Sequence, residues 1–296
     1  MAGFCSLVSQ ALTSLMLESL ISWLTQWLGE DVASSFAYIT NGKHLAWYAS
    51  VRFTLIAAVA SAACAVLFGL LGAGLKQSSF LPFKWIGDLY TTIVRGVPDI
   101  LFILFFPLAF EQTVEYFLAH SRCSVEELAN VTQWPPCDAA QWYLTTGDYL
   151  IMACVSLGIV YGAFAANVIH GAMQAVPKGQ LEAAAAYGFS PRQVFWQFKV
   201  RQMWVYALPG LSNVWMLLLK ATSFLSLLQI ADIVLWAERL GSANYFPGVG
   251  LVHADWRWKY YLVLFLFFIM MTMLSERFFA ALQARASRGM PLLGSN

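Results

Sequence analysis

Charge is what this chain has least of. Only 11% of its 296 residues are Asp, Glu, Lys or Arg, against 59% hydrophobic, where a soluble domain carries about 25% charged residues. With a mean hydropathy of +0.64, so little charge cannot solvate a globular surface, and the composition is that of a polytopic membrane protein. A phosphate-binding sequence is missing too. No Gly-x-x-x-x-Gly-Lys-Ser/Thr stretch occurs, so no nucleotide-hydrolysing P-loop is expected. The five cysteines, at 5, 64, 123, 137 and 154, include no Cys-x-x-Cys and no Cys/His cluster at metal-ligand spacing, so no metal or other cofactor is expected. His44, His120, His170 and His253 fall on different segments without supporting carboxylates. A membrane enzyme would need a clustered nucleophile, base or metal set, and no catalytic residue is assigned. The first charge is Glu18, with no positive n-region before it, so a cleavable signal peptide is not expected. A net charge of +1 gives no footprint for nucleic acid.

What is present is a series of apolar runs. Residues Leu7 to Leu28 place apolar side chains at 7/8, 11/12, 15/16, 20, 23/24 and 27/28, with Ser, Thr, Gln and Glu18 opposite. That is one amphipathic stripe, suited to a helix lying in the interface, with a sixth span as the alternative. Phe53 to Leu75 carries no charge and makes a first span, followed by Lys76 and Lys84. Arg95-Gly96-Val97-Pro98-Asp99 leads into Ile100 to Phe110. Arg95 and Asp99 would pair if this stretch is helical; otherwise it is an interfacial turn broken by Pro98. Glu111 to Asp148 reads as a polar excursion, with Glu115, Glu126, Glu127 and Asp138, Asn130 and a Trp134-Pro135-Pro136 break. Cys123 and Cys137 lie within it, either joined in an oxidising compartment or free. Leu150 to Ala175 is a third span, Val205 to Ala231 a fourth with Lys220 as its charge, and Tyr260 to Ser275 a fifth. Residues 238–259 form a loop rich in Gly and aromatics.

Between spans three and four runs Gln180-Leu181-Glu182-Ala183-Ala184-Ala185-Ala186-Tyr187-Gly188-Phe189-Ser190-Pro191. Ala and Glu favour a short helix. Gly188 lets the chain turn through a left-handed conformation at the helix end. Ser190 caps the next helix, with Pro191 at its first position and Gln193 completing a capping box. Lys76, Lys84, Arg95, Lys178, Arg192, Lys199, Arg201, Arg277, Arg285 and Arg288 all follow spans one, three and five. The bias of short loops makes that side cytoplasmic, so the hinge and C-terminus face the cytosol and 111–148 faces outward.

These residues resemble a known family. Pro177-Lys178-Gly179-Gln180, then Glu182-Ala183-Ala184 and Gly188, resembles the EAA loop of ABC importer permease subunits. Arg95-Gly96-Val97-Pro98-Asp99, Ala207-Leu208-Pro209-Gly210 and Leu219-Lys220-Ala221-Thr222-Ser223 are also similar to that family. The resemblance is to its polar amino-acid branch, in particular the permease subunits for histidine, the basic amino acids and octopine-like opines. It covers roughly 50–290 and departs from the pattern at two places. Phe198-Lys199-Val200-Arg201 stands where the family usually has Ile-x-Leu-Pro, and Ala221 where it commonly has Asp.

The resemblance implies an all-α membrane protein of type I ABC importer architecture. It would have about five spans and an N-terminal amphipathic helix, with 1–45 as N-terminal segment and outer loop and 46–290 as transmembrane domain. Within the latter lie a coupling loop at 177–205 and an outer insertion at 111–148. It implies an inner-membrane transport subunit that hydrolyses nothing itself. ATP and Mg would be bound by cytosolic ATPase subunits, two in the assembly and one per permease subunit, the one on this chain gripping Glu182, Ala183, Ala184, Gly188, Ser190 and Pro191. A periplasmic binding protein would deliver solute to the outer loops. Five spans are too few to enclose a pathway, so a second homologous permease chain, or a second copy of this one, would complete it in the lipid bilayer. Polar residues in the spans are the pathway candidates, namely Asn167, His170, Asn213, Lys220, Thr222, Ser223 and Gln229. Each could instead bond a neighbouring helix. Asp99 and Asp232 would suit a cationic solute and Lys220 a carboxylate, so charge preference stays open. A secondary amino-acid transporter is the alternative, although no internal repeat is visible.

Overall fold

The computed structural model describes residues 19, 22–23, 36–245 and 252–288. The amphipathic stripe at 7–28 lies almost wholly outside them. Among the described residues the regular elements are all helices, beside one isolated antiparallel bridge between Asn244 and His253. Five helices among the described residues are long and apolar enough to cross a membrane. They are α1 (Gly42–Gln77), α3 (Asp99–Arg122), α5 (Thr146–Ala175), α7 (Pro191–Leu228) and α9 (Arg257–Ala286). Between them lie α2 (Leu81–Gly96), α4 (Val125–Ala129), α6 (Lys178–Ala186) and α8 (Ile233–Gly241). The chain divides into two compact units, residues up to Phe53 with Asp232–Leu264, and Thr54–Ala231 with residues from Phe265 on.

In the larger unit α5 is the hub. Its most apolar window is 61% buried, against 11% for α9. A Thr145/Asp148 capping box starts it, the Asp148 amide donating to Thr145 Oγ1 and the Thr145 amide to Asp148 Oδ2. Val176 ends it, because the residue before Pro177 is pushed out of the helical region. Small residues bring α1 against it. A methyl on Gly69 would lie 2.7 Å from Ala165 Cβ, and one on Gly162 2.6 Å from Phe68 Cβ. Leu157, Val160, Tyr161, Leu218 and Leu219 form the main core with Ala58, Ala65 and Ile103.

The second crossing is a broken helix, where the sequence pointed to one short apolar run with an interfacial turn or an ion pair before it. The α2 residues Gly87, Thr91 and Val94 are buried at i, i+4, i+7 spacing. The α2 helix packs on α5 and stops at Val97-Pro98, and α3 begins at Asp99. The α3 helix then continues to Arg122, so residues 111–122 are helical and the loop expected over 111–148 is confined to 123–145. Cys123 and Cys137 are joined there by a disulfide. The segment 238–259 likewise begins as helix, since α8 runs to Gly241.

No break follows Phe198 in α7. The missing proline leaves the rod continuous through a π-type stretch at Val194–Lys199, where the Val200 amide donates to the Phe195 carbonyl. The α-helical part ends instead at Ala221, and Thr222–Leu228 tightens to a 3₁₀ turn.

Candidate coupling and translocation sites

The elbow has the local geometry its sequence dictates. After Ala186 the amide of Gly188 donates to Ala185 O, and that of Phe189 to Ala184 O. This 6→1 pattern of helix closure requires a left-handed residue. Gly188 supplies it at φ +87°. Ser190 accepts from the Gln193 amide while Gln193 Oε1 accepts from the Ser190 amide, with Pro191 at the first helical position. Glu182 is exposed and does not cap its own helix, which has no side-chain cap. The two alanines differ. Ala184 is buried and Ala183 exposed, so only Ala183 leaves room for a partner. Phe189 packs edge-on against Phe198 at 5.1 Å between ring centroids and stays partly exposed at the elbow. Tyr187 is 86% exposed and Trp196 60%. Neither was singled out from sequence, although Tyr187 stands immediately before the turn glycine, where a side chain is carried to the tip.

The pathway candidates separate by what they touch. Asn167 Oδ1 accepts from Lys76 Nζ at 2.6 Å, and the same ammonium donates to Thr91 Oγ1 at 3.1 Å and pairs with Asp88 at 3.3 Å. Asn167 therefore ties α1, α2 and α5 together. His170 Nε2 accepts from Gln174 Nε2, one turn along the same helix. Thr222 Oγ1 donates to Leu219 O and Ser223 Oγ to Lys220 O, so both hydroxyls are used within their own turn. Gln229 adopts φ +56° where the 3₁₀ turn ends. Asp232 caps α8, accepting from the Leu235 amide at 2.8 Å, and burial pushes its carboxyl up to about 7.

Three candidates keep polar groups in play. Asn213 and Lys220 are both exposed, seven residues apart on one face of α7 with exposed Tyr206 and Leu217. Lys220 lies in the last turn of the α-helical part of α7, and a charge within a spanning helix needs a polar or protein neighbour rather than lipid. Asp99 Oδ2 accepts from Tyr161 Oη at 2.6 Å. Tyr161 is the sixteenth residue of the 30-residue α5, which puts Asp99 at mid-height of the hub rather than at a membrane edge. Arg95 does not pair with Asp99. Its guanidinium lies 5.1 Å from the Phe164 ring centroid, and it borders a cleft of about 440 Å³ with Lys76, Thr91, Thr92, Gly96 and Asn167. Two cations thus stand on one side of the Val97-Pro98 break and a carboxylate on the other. Among the described residues the potential three-ligand cluster is Cys123, Glu127 and Cys137, whose two thiols are already joined to each other.

An all-helical membrane chain with a broken crossing and an exposed helical elbow is a transport permease in build. Residues 65–288 match the family described as binding-protein-dependent transport system inner membrane component, and the chain belongs to that family. It is a permease subunit. Among its relatives is the histidine/lysine/arginine/ornithine transport system permease protein HisQ of Escherichia coli, 36% identical over 194 residues, 66% of this chain and 77% of that one. The arginine ABC transporter permease protein ArtQ of the same organism is 30% identical over 236 residues, covering 78% and 92%. The octopine transport system permease protein OccQ of Rhizobium radiobacter is 28% identical over 241 residues, covering 81% and 90%. The solved structure of an amino acid ABC transporter with histidines matches the fold with a TM-score of 0.59 at 20% identity, covering 81% of this chain and 94% of that one.

Proposed function

We propose that this subunit forms half of the translocation pathway of an ATP-driven importer for polar or basic amino acids, or opine-like derivatives. Cytosolic ATPase subunits, two per assembly, would drive it through the 177–205 elbow. A second permease chain, homologous or identical, faces it, and a periplasmic binding protein docks on the outer loops. The rigid elbow carries the reading. A short helix, a left-handed glycine and a capped helix start hold Glu182, Ala183 and Tyr187 in one fixed protrusion. It leads straight into α7, so a push on the elbow is delivered to the helix bearing Asn213 and Lys220. The solute class is supported by the relatives' names and by the broken crossing. An amino acid carries both an ammonium and a carboxylate, and the break offers Asp99 for the first and Arg95 for the second.

The test is reconstitution in vesicles with the ATPase subunits and the binding protein. Solute-loaded binding protein should stimulate ATP hydrolysis and uptake together. Uptake that continues without the ATPase, driven by a proton or sodium gradient, would instead establish a secondary transporter.

A further inference from the structure

We propose that the N-terminal ends of the first and last spanning helices, together with the end of α8, form a binding site for one anionic phospholipid, with its phosphate near Lys43 and Arg239 and an acyl chain in an adjoining aromatic groove. Two cavities in the smaller unit share a wall made by Tyr38 and His44. The first holds about 210 Å³ and is polar, with Lys43, Arg239, Asn41 and Asn244 in its lining and no carboxylate among the described lining residues. The second holds about 360 Å³ and is apolar, bounded by Ile39, Trp47, Tyr48, Trp256 and Val263. At its rim the Lys259 ammonium lies 4.1 Å from the Trp256 ring centroid.

The hydrogen bonds of the shared wall fix which groups remain for a ligand. Asn41 Oδ1 can only accept, so His44 Nδ1 donates to it at 2.9 Å. His44 Nε2 then accepts from Tyr260 Oη at 2.8 Å, and Tyr38 Oη donates to Tyr260 Oη at 3.2 Å. That chain uses Asn41 Oδ1 and His44 Nε2 as acceptors and leaves the Asn41 Nδ2 hydrogens and the Lys43 ammonium at a pocket whose described lining holds no carboxylate. A phosphate is an acceptor-only anion and complements it.

Position selects a lipid over a free anion. No charge occurs in α9 between Lys259 and Glu276, nor in α1 between Arg52 and Lys76. The two cavities therefore sit where charged side chains give way to uninterrupted apolar helix, the level at which headgroup meets acyl chain. Tyr48 and Val263 are about half exposed on the groove.

The complete transporter, purified in mild detergent, is titrated with phosphatidylglycerol or phosphatidylcholine and read by native mass spectrometry. Wild type should retain the anionic lipid preferentially. The Lys43→Gln, Arg239→Gln pair should weaken that retention about thirtyfold. Val263→Trp, which fills the groove without touching charge, should weaken both lipids. Glycerol 3-phosphate, a headgroup without chains, should not compete. A benzophenone side chain placed at Val263 should crosslink to lipid, and with Lys43→Gln alone this reads the site even where Arg239→Gln fails to assemble. Equal retention of the two lipids, or retention unchanged in the Lys43 variant, overturns the proposal. So does competition by glycerol 3-phosphate, or crosslinking to residues 1–35 or to another subunit.

Discussion

Gly188 sits at φ +87° with nothing within 4 Å of a methyl built on it. Substitution there meets backbone strain alone, about 1–2 kcal/mol for an L residue in the left-handed region. Gly188→Ala should therefore insert normally and bind the ATPase more weakly, and Gly188→Asp, which adds a charge at the tip, should lose it. Membrane fractionation and ATPase co-purification separate the two effects, and full association in the Asp variant would remove the docking role. Asp99 makes a second residue-level prediction. Asp99→Asn keeps a group that can accept from Tyr161 but removes the charge at mid-height of α5. Uptake should fall at least about tenfold, the value of roughly one charge-assisted contact, with assembly and ATPase binding intact. Tyr161→Phe should cost less, because the carboxylate remains and loses only its positioning donor. Normal uptake by Asp99→Asn would leave Asp99 a structural ligand of Tyr161.

At the scale of elements, the contact between α1 and α5 depends on missing side chains. A methyl on Gly162 would lie 2.6 Å from Phe68 Cβ and 2.9 Å from Tyr90 Oη, whereas one on Gly74, in the same helix as Phe68, meets nothing within 4 Å. Gly162→Val should cost about 1–3 kcal/mol or more through overpacking and deplete folded protein from the membrane. Gly74→Ala should be neutral or mildly stabilising. Detergent-extracted yield and thermal stability distinguish them, and a well-folded Gly162→Val would show that the helices separate more easily than their spacing implies. This pair of elements also shows what a sequence can reveal. The elbow was legible because its signals are local: a turn glycine at 188 and a Ser-x-x-Gln box within six residues. The break at Val97-Pro98 was visible as a proline, but its depth was not, since that is set by Tyr161, 62 residues away. Asn167 read as a pathway residue because its partner, Lys76, is 91 positions distant. The continuation of α3 past Phe110 is hidden because polar residues from Glu111 onward read as a loop, whereas the helix carries them to Arg122.

For the whole molecule, the side of the membrane on which the elbow lies decides whether an ATPase can reach it. Segments after the first, third and fifth crossings carry most of the Lys and Arg, while the 123–145 loop carries Glu126, Glu127 and Asp138 against no Lys or Arg. The Cys123–Cys137 disulfide on that loop agrees with an oxidising compartment there. Cysteine labelling tests this directly, because Cys154 is buried, Cys64 is half-buried and Cys123 is paired with Cys137. In a Cys5→Ser background, Ala185→Cys places a thiol at an exposed elbow position, and Glu126→Cys places one on the outer loop. A membrane-impermeant maleimide should label position 185 in inside-out vesicles and not in intact cells, and position 126 in intact cells. The reverse pattern would put the elbow outside, beyond reach of any nucleotide-driven partner, and ATP-driven coupling through Gly188 would fail with it. Labelling of both positions from one side would mean an even number of crossings between them, against the single span α5 that joins the outer loop to the elbow.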